Sequence, residues 1–168
     1  MPRTPIQAMG LLLGFWIALG LSPLNVTIAR ADDAPFAELE ARLHRAVNAI
    51  RVRHHLILLE RRSDLDRVAR IHSADMAQRG YLSHETPEGR DPVDRIAEGA
   101  GSGFTLAGEN LGTTDRSDSS REILEGWLAS PVHRRNLLAP PFNATGIGVA
   151  RNRDGSWVYT QVYVTYPK

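Results

Sequence analysis

Apolar residues recur at intervals of three and four positions just after residue 34, which is the spacing of one helix face. The helix predicted from Pro35 onward has on its apolar face Phe36, Leu39, Leu43, Val47 and Ile50. Three basic residues of the same stretch are predicted to face solvent: Arg42, Arg45 and Arg51. The mixed stretch from Arg53 to Arg62 is predicted to connect this helix to the next one.

A second helix is predicted to begin at Ser63 and to stop at Gly80. Ser63 and Asp66 have the spacing of a capping box, in which each side chain accepts from a backbone N–H near the other. Gly80 can adopt the left-handed conformation found just past a helix end. The apolar stripe of this helix consists of Leu65, Val68, Ala69, His72 and Met76. Its position on that stripe makes His72 a core or cleft-wall residue and not a ligand.

The middle of the chain alternates between loop and regular structure. Residues 81–103 are rich in Gly, Pro and charge, and one helical turn is predicted there, over residues 91–96. Residues 104–111 are compatible with a strand. Ser117 and Asp118 can cap a third helix, whose buried face is predicted to contain Ile123, Leu124, Trp127 and Leu128. Ser130 and Pro131 end that helix and begin another, because Ser caps well and Pro suits the first helical position.

The last third of the chain has the composition of strands. Residues 146–150 and 157–164 are rich in β-branched and aromatic side chains. The turn signal Asn152-Arg153-Asp154-Gly155 between them predicts an antiparallel hairpin. Helices followed by a late antiparallel hairpin indicate an α+β fold and not a parallel sheet.

The first 31 residues are predicted to be a signal peptide. Arg3 is followed by an apolar run from Met9 to Leu21, which as a helix reaches only about 20 Å, too short to span a bilayer comfortably. The small-x-small sequence Ala29-Arg30-Ala31 suits a signal peptidase, so cleavage before Asp32 would leave residues 32–168 as a single exported domain. The alternative is an uncleaved anchor. The predicted location is extracytoplasmic, secreted or periplasmic, with no stable membrane span after cleavage.

Composition excludes several classes of function. The chain has 20 basic and 19 acidic residues, and loss of Arg3 and Arg30 with the signal peptide leaves a net charge of about −1 with His neutral. This balance does not indicate a nucleic-acid partner. The chain contains no Cys, so disulfides, thiol redox chemistry and a lipoprotein-type lipid anchor are all excluded.

Three segments place hydrogen-bonding or metal-ligating side chains at the ends of predicted elements: Ser83-His84-Glu85, Gly108-Glu109-Asn110 and Ser130 to Asn136. Here the sequence resembles the bacterial, SCP-like branch of the CAP superfamily, which groups cysteine-rich secretory proteins, antigen five and plant pathogenesis-related proteins. The resemblance extends from about Leu43 to Tyr163 and depends on four motifs in order: Tyr81-Leu82-Ser83-His84, Ala107-Gly108-Glu109-Asn110-Leu111, Gly126 to Leu138, and Thr160-Gln161-Val162-Tyr163.

This resemblance implies an α-β-α sandwich with a central antiparallel sheet and an open cleft, in which two His and one or two acidic residues meet. Carried over to this sequence, they are His84, His133 and Glu109, a set that implies a site for Zn or another divalent metal. Eukaryotic members place a Glu three residues after the Trp that matches Trp127, and here that position is Ser130. Any metal would therefore need water or a ligand to complete its shell. Two His and a Glu around an open position also hold catalytic zinc.

The chemistry of these residues leads to the same site by a second route. His133 is the third residue after Ser130, where the positive end of a helix dipole favours the neutral imidazole that metal binding needs. The alternative is a hydrogen-bond network of His84, Glu109 and His133 that only ties loops together. Asn110 is expected to orient backbone beside the cleft and Gln161 to point into it, with a turn role for Asn110 and simple burial of Gln161 as the alternatives.

Three functions remain open from the sequence. The preferred hypothesis is a secreted binding module whose cleft holds a small apolar, lipid-like or peptide ligand or an envelope component, with or without a metal. The second is a metal-dependent hydrolase with Glu109 as general base, although the His-Glu-x-x-His protease motif is absent. The third is a non-catalytic interaction protein of the envelope. A protein that is not an enzyme is the preferred expectation.

Overall fold

The computed structural model describes residues 34–167, which form three layers of helices and strands. The helices are α1 (Ala34–Arg53), α2 (Ser63–Arg79), α3 (Pro92–Ala100), α4 (Ser119–Ala129) and α5 (Pro131–Leu137). The strands are β1 (Glu60–Arg61), β2 (Leu106–Thr114), β3 (Ala144–Arg151) and β4 (Trp157–Thr165). The predicted signal peptide and its cleavage site lie outside the described residues. Within the described range, no helix has both the length and the apolar character needed to cross a membrane.

The central layer is a four-stranded sheet in the order β1-β3-β4-β2. β4 pairs antiparallel with both β3 and β2, and the predicted hairpin turn closes through Asn152 N–H donating to Ser156 O at 2.8 Å. These pairings and the helices on both faces confirm the α+β, α-β-α prediction. The sheet is mixed and not purely antiparallel, because β1 pairs parallel with β3 at Ala144 and Thr145. A strand of two residues has no alternation that a sequence pattern could reveal.

Helix α2 lies directly on the backbone of β3. A Cβ added to Gly146 would lie 2.1 Å from the backbone carbon of Leu65, and one added to Gly148 would lie 2.1 Å from the backbone nitrogen of Arg70. Only glycine therefore allows this approach. The predicted apolar stripe of α2 is buried as expected, and Gly80 ends the helix in the left-handed conformation, with φ 71° and ψ 41°.

The opposite face of the sheet is covered by α1, α4 and α5. Leu43, Val47, Ile123 and Trp127 are buried there, as the periodicity predicts. The prediction that Arg51 faces solvent is wrong. Its side chain is fully buried and donates to the carbonyl oxygens of Ile57, Leu137, Ala139 and Phe142. Arg51 thus satisfies backbone carbonyls of two segments outside α1. The helical pattern of α1 contains no information about these partners.

The helix starts differ from the prediction in their capping. Ser63 is the first helical residue and Arg62 the cap, because Asp66 instead accepts from the backbone N–H of Ile147 on β3 at 2.9 Å. A capping box lies instead at Asp91 and Asp94, and it begins an α3 longer than the single turn predicted. Asp118 and Ser130 mark the predicted helix starts, but neither side chain makes a capping hydrogen bond.

Candidate functional site

The candidate site lies along β2, where two consecutive side chains leave opposite faces of the sheet. Glu109 is paired with Val162 and faces the α2–α3 layer, whereas Asn110 is paired with Gln161 and faces the layer of α5. One strand thus connects residues from both helical layers. His84 follows α2, and His133 belongs to α5.

Glu109 is held by two partners on the α3 side. Arg95 Nη2 donates to Glu109 Oε2 at 2.7 Å, and His84 Nδ1 lies 2.8 Å from Glu109 Oε1. The Glu109 side chain is 1% exposed and that of Arg95 is 5% exposed, so this ion pair is removed from water. Arg95 also donates to the backbone oxygens of His84 and Arg90, which fixes the loop before α3.

His84 is oriented by this carboxylate. Because a carboxylate only accepts, Nδ1 of His84 carries the proton, and Nε2 then has a free lone pair when the ring is neutral. The His84 side chain is 51% exposed, in contrast to Glu109. The arrangement therefore presents an imidazole of fixed tautomer to solvent, which is the usual role of a carboxylate behind a functional histidine.

His133 is half-buried near the start of α5. Burial, and next the charge of His84, lowers the pKa of His133, so its ring is neutral at pH 7. The direction agrees with the prediction from the helix dipole, but the causes are burial and the neighbouring imidazole. His84 and Glu109 are in direct contact, whereas His133 is connected to them only by this electrostatic influence of His84. Ser130 is partly buried at the boundary between α4 and α5.

Asn110 and Gln161 are both fully buried, so neither side chain lines an open cleft. Of the two alternatives for Gln161, burial is the one that the structure has. Asn110 donates to the backbone oxygen of His133 at 3.0 Å and to Tyr163 Oη, which in turn donates to Gln161. Asn136 donates to Asn110 Oδ1 and to the backbone oxygen of Glu109. This network supports α5 from inside the protein.

His72 is buried on α2, as predicted for a core or cleft-wall residue. Its Nε2 lies 3.0 Å from the backbone oxygen of Ser83, next to His84. Burial lowers the pKa of His72, and the charge of Glu109 opposes that shift without cancelling it. His72 is therefore neutral and holds the loop that carries His84.

The predicted three-ligand metal site can be tested against this geometry. His84 and His133 each carry an imidazole nitrogen that can donate a lone pair to a divalent cation when the ring is neutral. Glu109 does not fit as a third ligand, because both of its oxygens are hydrogen-bonded and its side chain is buried. Among residues 34–167, no group of three or more His, Cys, Asp or Glu is arranged to hold a metal ion. Glu109 fits the role of orienting His84, and metal binding itself stays a prediction.

Sequence reasoning missed Arg95. The residue lies in the first turns of α3, beside the buried Ile96, and reaches Glu109 on another element. The only local signal is the capping box at Asp91 and Asp94, which starts the helix and so fixes where Arg95 lies. The position of Arg95 beside an apolar residue in a short capped helix is compatible with burial. The local sequence does not show that Glu109 is its partner.

Two cavities border segments next to the candidate site, although neither is lined by His84, Glu109 or His133. One of about 480 Å³ is lined by residues that include Tyr81 and Leu82, just before His84. A smaller one of about 140 Å³ is lined in part by Val68, Ile71 and Arg95. The loop before His84 and the helix that carries Arg95 therefore each border a cavity next to the site.

Helices on both faces of this mixed four-stranded sheet define the class as an α-β-α sandwich. The model of the Cysteine-rich secretory protein family, CAP, matches residues 44–163. The chain therefore belongs to the CAP family, although it contains no Cys.

Related proteins support this assignment. The Bacillus subtilis (strain 168) protein YkwD is 30% identical over 125 residues, which are 74% of this chain and 46% of that protein. An extracellular protein containing a SCP domain from Bacillus anthracis str. Ames has a similar structure, with a TM-score of 0.67 and 35% identity over 77% of this chain and 41% of that one. An outer surface protein from Borrelia burgdorferi has a TM-score of 0.71 at 20% identity, covering 77% of this chain and 94% of that one, which shows the fold alone.

The chain spans less than half the length of the curated relatives it matches, 46% of YkwD and 32% of the Bacillus subtilis membrane protein YlbC. Similar solved proteins are described as extracellular or as outer surface proteins. The comparisons therefore support the assignment of the domain to this family.

Proposed function

We propose that this chain is an extracytoplasmic CAP-domain binding module, whose ligand contacts the imidazoles of His84 and His133. The observation that carries the proposal is the Arg95–Glu109–His84 arrangement. A buried ion pair fixes the tautomer and orientation of a half-exposed histidine. A network built only to tie loops together would not need to leave the imidazole in water, so this geometry favours a ligand.

The ligand we propose has apolar character, as a lipid-like molecule or a peptide does. Leu82 lies two residues before His84 and is 51% exposed, and Val132 immediately precedes His133 and is 61% exposed. Large apolar side chains left in water beside polar groups are typical of binding surfaces. A ligand that covers them gains about 25 cal/mol per Å² of apolar surface removed from water.

Native mass spectrometry of the purified protein tests this proposal. A bound small molecule is expected with the wild-type chain and with the control His54→Ala, since His54 is exposed and outside the site. The double variant His84→Ala/His133→Ala is expected to lose it. Retention of the same mass by the folded double variant would contradict a ligand at these histidines.

A divalent cation such as Zn²⁺ is a second proposed ligand of the same site. It is supported by the lowered pKa of His133, which keeps that imidazole neutral at pH 7, and by the carboxylate of Glu109 behind His84, a common arrangement around metal-ligating His. Calorimetric titration with ZnCl₂ is expected to show binding to wild type and none to His84→Ala. Equal binding by both proteins would place the metal elsewhere.

The hydrolase alternative has less support in the form that uses Glu109 as general base. A base must reach the proton it removes, and Glu109 is buried with both oxygens engaged. The exposed Nε2 of His84 is the atom able to accept a proton. If the protein is a hydrolase, turnover should be lost in His84→Ala. Turnover that survives this change would show that the reaction does not take place at this site.

A further inference from the structure

The outer edge of β3 is only partly covered. β1 pairs with Ala144 and Thr145, and in the part of the chain that the structure describes no strand continues along that side from Ile147 to Arg151. An uncovered strand edge exposes N–H and C=O groups that can pair with another polypeptide. This edge lies on the opposite side of the sheet order from β2 and the candidate site.

The backbone direction along β3 identifies which residues face outward. Thr145 O accepts from Arg62 N–H on the outer side at 3.0 Å, and Ile147 N–H donates outward to Asp66 at 2.9 Å. In an antiparallel strand the N–H and C=O of alternate residues point the same way. Val149 and Arg151 therefore direct their backbone groups outward. Among residues 34–167, no side chain or loop backbone group bonds the outward groups of Val149.

A groove of about 540 Å³ follows this open edge. Its lining comes from α1, α2 and the end of β3: Phe36, Ala37, Glu40, Arg70, Ala74, Val149, Ala150 and Arg151. Because α1 and α2 cover opposite faces of the sheet, a groove that touches both helices must lie at the sheet edge. The Glu40–Arg70 ion pair joins the two helices at the inner end of the groove, and Val149 is 6% exposed at its base. A short strand that enters from the open end would lie about 4.8 Å from β3, beside Val149 and Arg151 only.

The groove is apolar along its walls and positive at its open end. Glu40 is buried and neutralised by Arg61 and Arg70, with Arg61 Nη2 at 2.7 Å. Arg151 is exposed, its guanidinium lies 4.8 Å from the ring centroid of Trp157, and its Nε donates to the backbone oxygen of Gly155 at 3.1 Å. Among the described residues no carboxylate forms an ion pair with it. An acidic side chain near Arg151 would therefore find an unneutralised positive charge.

We propose that the β3 edge is a docking site for an extended peptide of a partner protein, which adds as a strand. The peptide pairs its backbone with Val149 and Arg151, places small apolar side chains between α1 and α2, and places a carboxylate beside Arg151. This is the β-augmentation mode of peptide recognition, in which backbone hydrogen bonds give affinity and side-chain pockets give specificity. A second folded copy fits less well, because its own helices would meet the walls of the groove before its sheet edge reached β3.

The probe is the synthetic peptide acetyl-Asp-Val-Thr-Val-Asp-amide, added to the purified protein and followed by NMR. Binding is expected to slow hydrogen exchange of the Val149 and Arg151 amides, while exchange at His84 is unchanged. Two control peptides carry N-methyl groups on alternate residues, one on the two Val and the other on the remaining three. Strand addition predicts that one control loses binding and the other keeps it, since only one set of amides faces β3. Equal binding by all three peptides would overturn the proposal.

Variants of the protein test the groove itself. Arg151→Glu should weaken peptide binding by at least about tenfold, whereas Arg153→Glu, the same charge change in the nearby turn and outside the groove, should have little effect. Ala74→Leu should fill the groove and abolish binding without loss of fold. Equal weakening by both Arg variants would show a nonspecific charge effect and would overturn the proposal. Protection of Val149 that rises with protein concentration in the absence of peptide would overturn it in favour of a second copy.

Discussion

Arg95 and Glu109 form an ion pair that is almost completely shielded from water, with Nη2 and Oε2 2.7 Å apart. The pair connects α3 to β2, and its second carboxylate oxygen holds His84. A buried pair of this kind adds little net stability over an apolar pair, but loss of one partner leaves the other charge uncompensated. The site and the fold therefore depend on the same two side chains.

Glu109→Gln is predicted to destabilise the protein by about 3 kcal/mol, because it leaves the buried guanidinium of Arg95 without a counter-charge. Urea unfolding followed by tryptophan fluorescence measures this free energy. The matched control is Glu98→Gln, which breaks the exposed ion pair with Arg90 and should cost less than about 1 kcal/mol. Similar losses in the two variants would contradict the buried ion pair.

The two imidazoles of the site are predicted to influence each other's protonation. In wild type, burial and the charge of His84 lower the pKa of His133. His84→Gln removes that charge, so the pKa of His133 should rise toward its ordinary value and remain below it because burial persists. An NMR titration of the His133 ring measures this shift. His54→Gln should leave the titration unchanged, and an unchanged titration in His84→Gln would place the two rings apart.

Local patterns predicted those elements whose stabilising contacts lie along one helix or strand. The stripe from Leu65 to Met76 and the left-handed Gly80 define α2 from its own sequence, and the hairpin is specified by its turn. The four motifs identify the family and the residues of the site. The pairing of Glu109 with His84 follows from that resemblance and not from periodicity.

The missed features all depend on partners distant in the sequence. Arg51 looks like a solvent-facing residue of α1 because its carbonyl partners at residues 137–142 are not part of the helix. Asp66 has the right spacing to cap with Ser63, but Ile147 on β3 uses it instead. Asn110 and Gln161 sit in recognisable motifs, yet their burial depends on how the layers close. A local sequence pattern does not show which distant residue will bond to a given side chain.

Stability is predicted to fall as the pH decreases below neutrality, in part because of His72. In the unfolded chain His72 titrates near 6.5, whereas burial lowers its pKa in the folded chain, with Glu109 opposing and Arg95 reinforcing the shift. Between these two values the unfolded state binds a proton that the folded state does not. The free energy of unfolding therefore falls as pH decreases through about 6.5, and this contribution stops changing below the folded pKa.

The His72 contribution can be isolated with His72→Gln, which cannot titrate. Its free energy of unfolding should decrease less between about pH 7.5 and 5.5 than that of wild type. Some decrease should remain, because His133 has a lowered pKa as well and contributes with the same sign. The exposed His54→Gln should keep the full wild-type dependence. If His72→Gln shows the same slope as His54→Gln, His72 takes up its proton equally in both states.

Gly148→Ala is predicted to be among the most damaging small substitutions in the protein. Its Cβ would lie 2.1 Å from the backbone nitrogen of Arg70 and 2.2 Å from the backbone carbon of Ala69, so α2 would have to move away from β3. Because backbone cannot yield as a side chain does, we expect a loss of at least about 3 kcal/mol in urea unfolding. The shift should also disturb His72, since α2 carries it, and through Ser83 the loop of His84.

Gly126→Ala makes the same chemical change where no atom lies within 4 Å of the new Cβ. Gly126 is exposed within α4, so alanine should stabilise the protein by about 0.5–1 kcal/mol through its higher helix propensity. If Gly148→Ala lowers the free energy of unfolding and Gly126→Ala raises it, the loss at Gly148 comes from the contact between α2 and β3. The flexibility of glycine would act in the same direction at both positions. If Gly148→Ala cost less than about 1 kcal/mol, the two backbones would have to lie farther apart, and the position of His72 against the His84 loop would need revision.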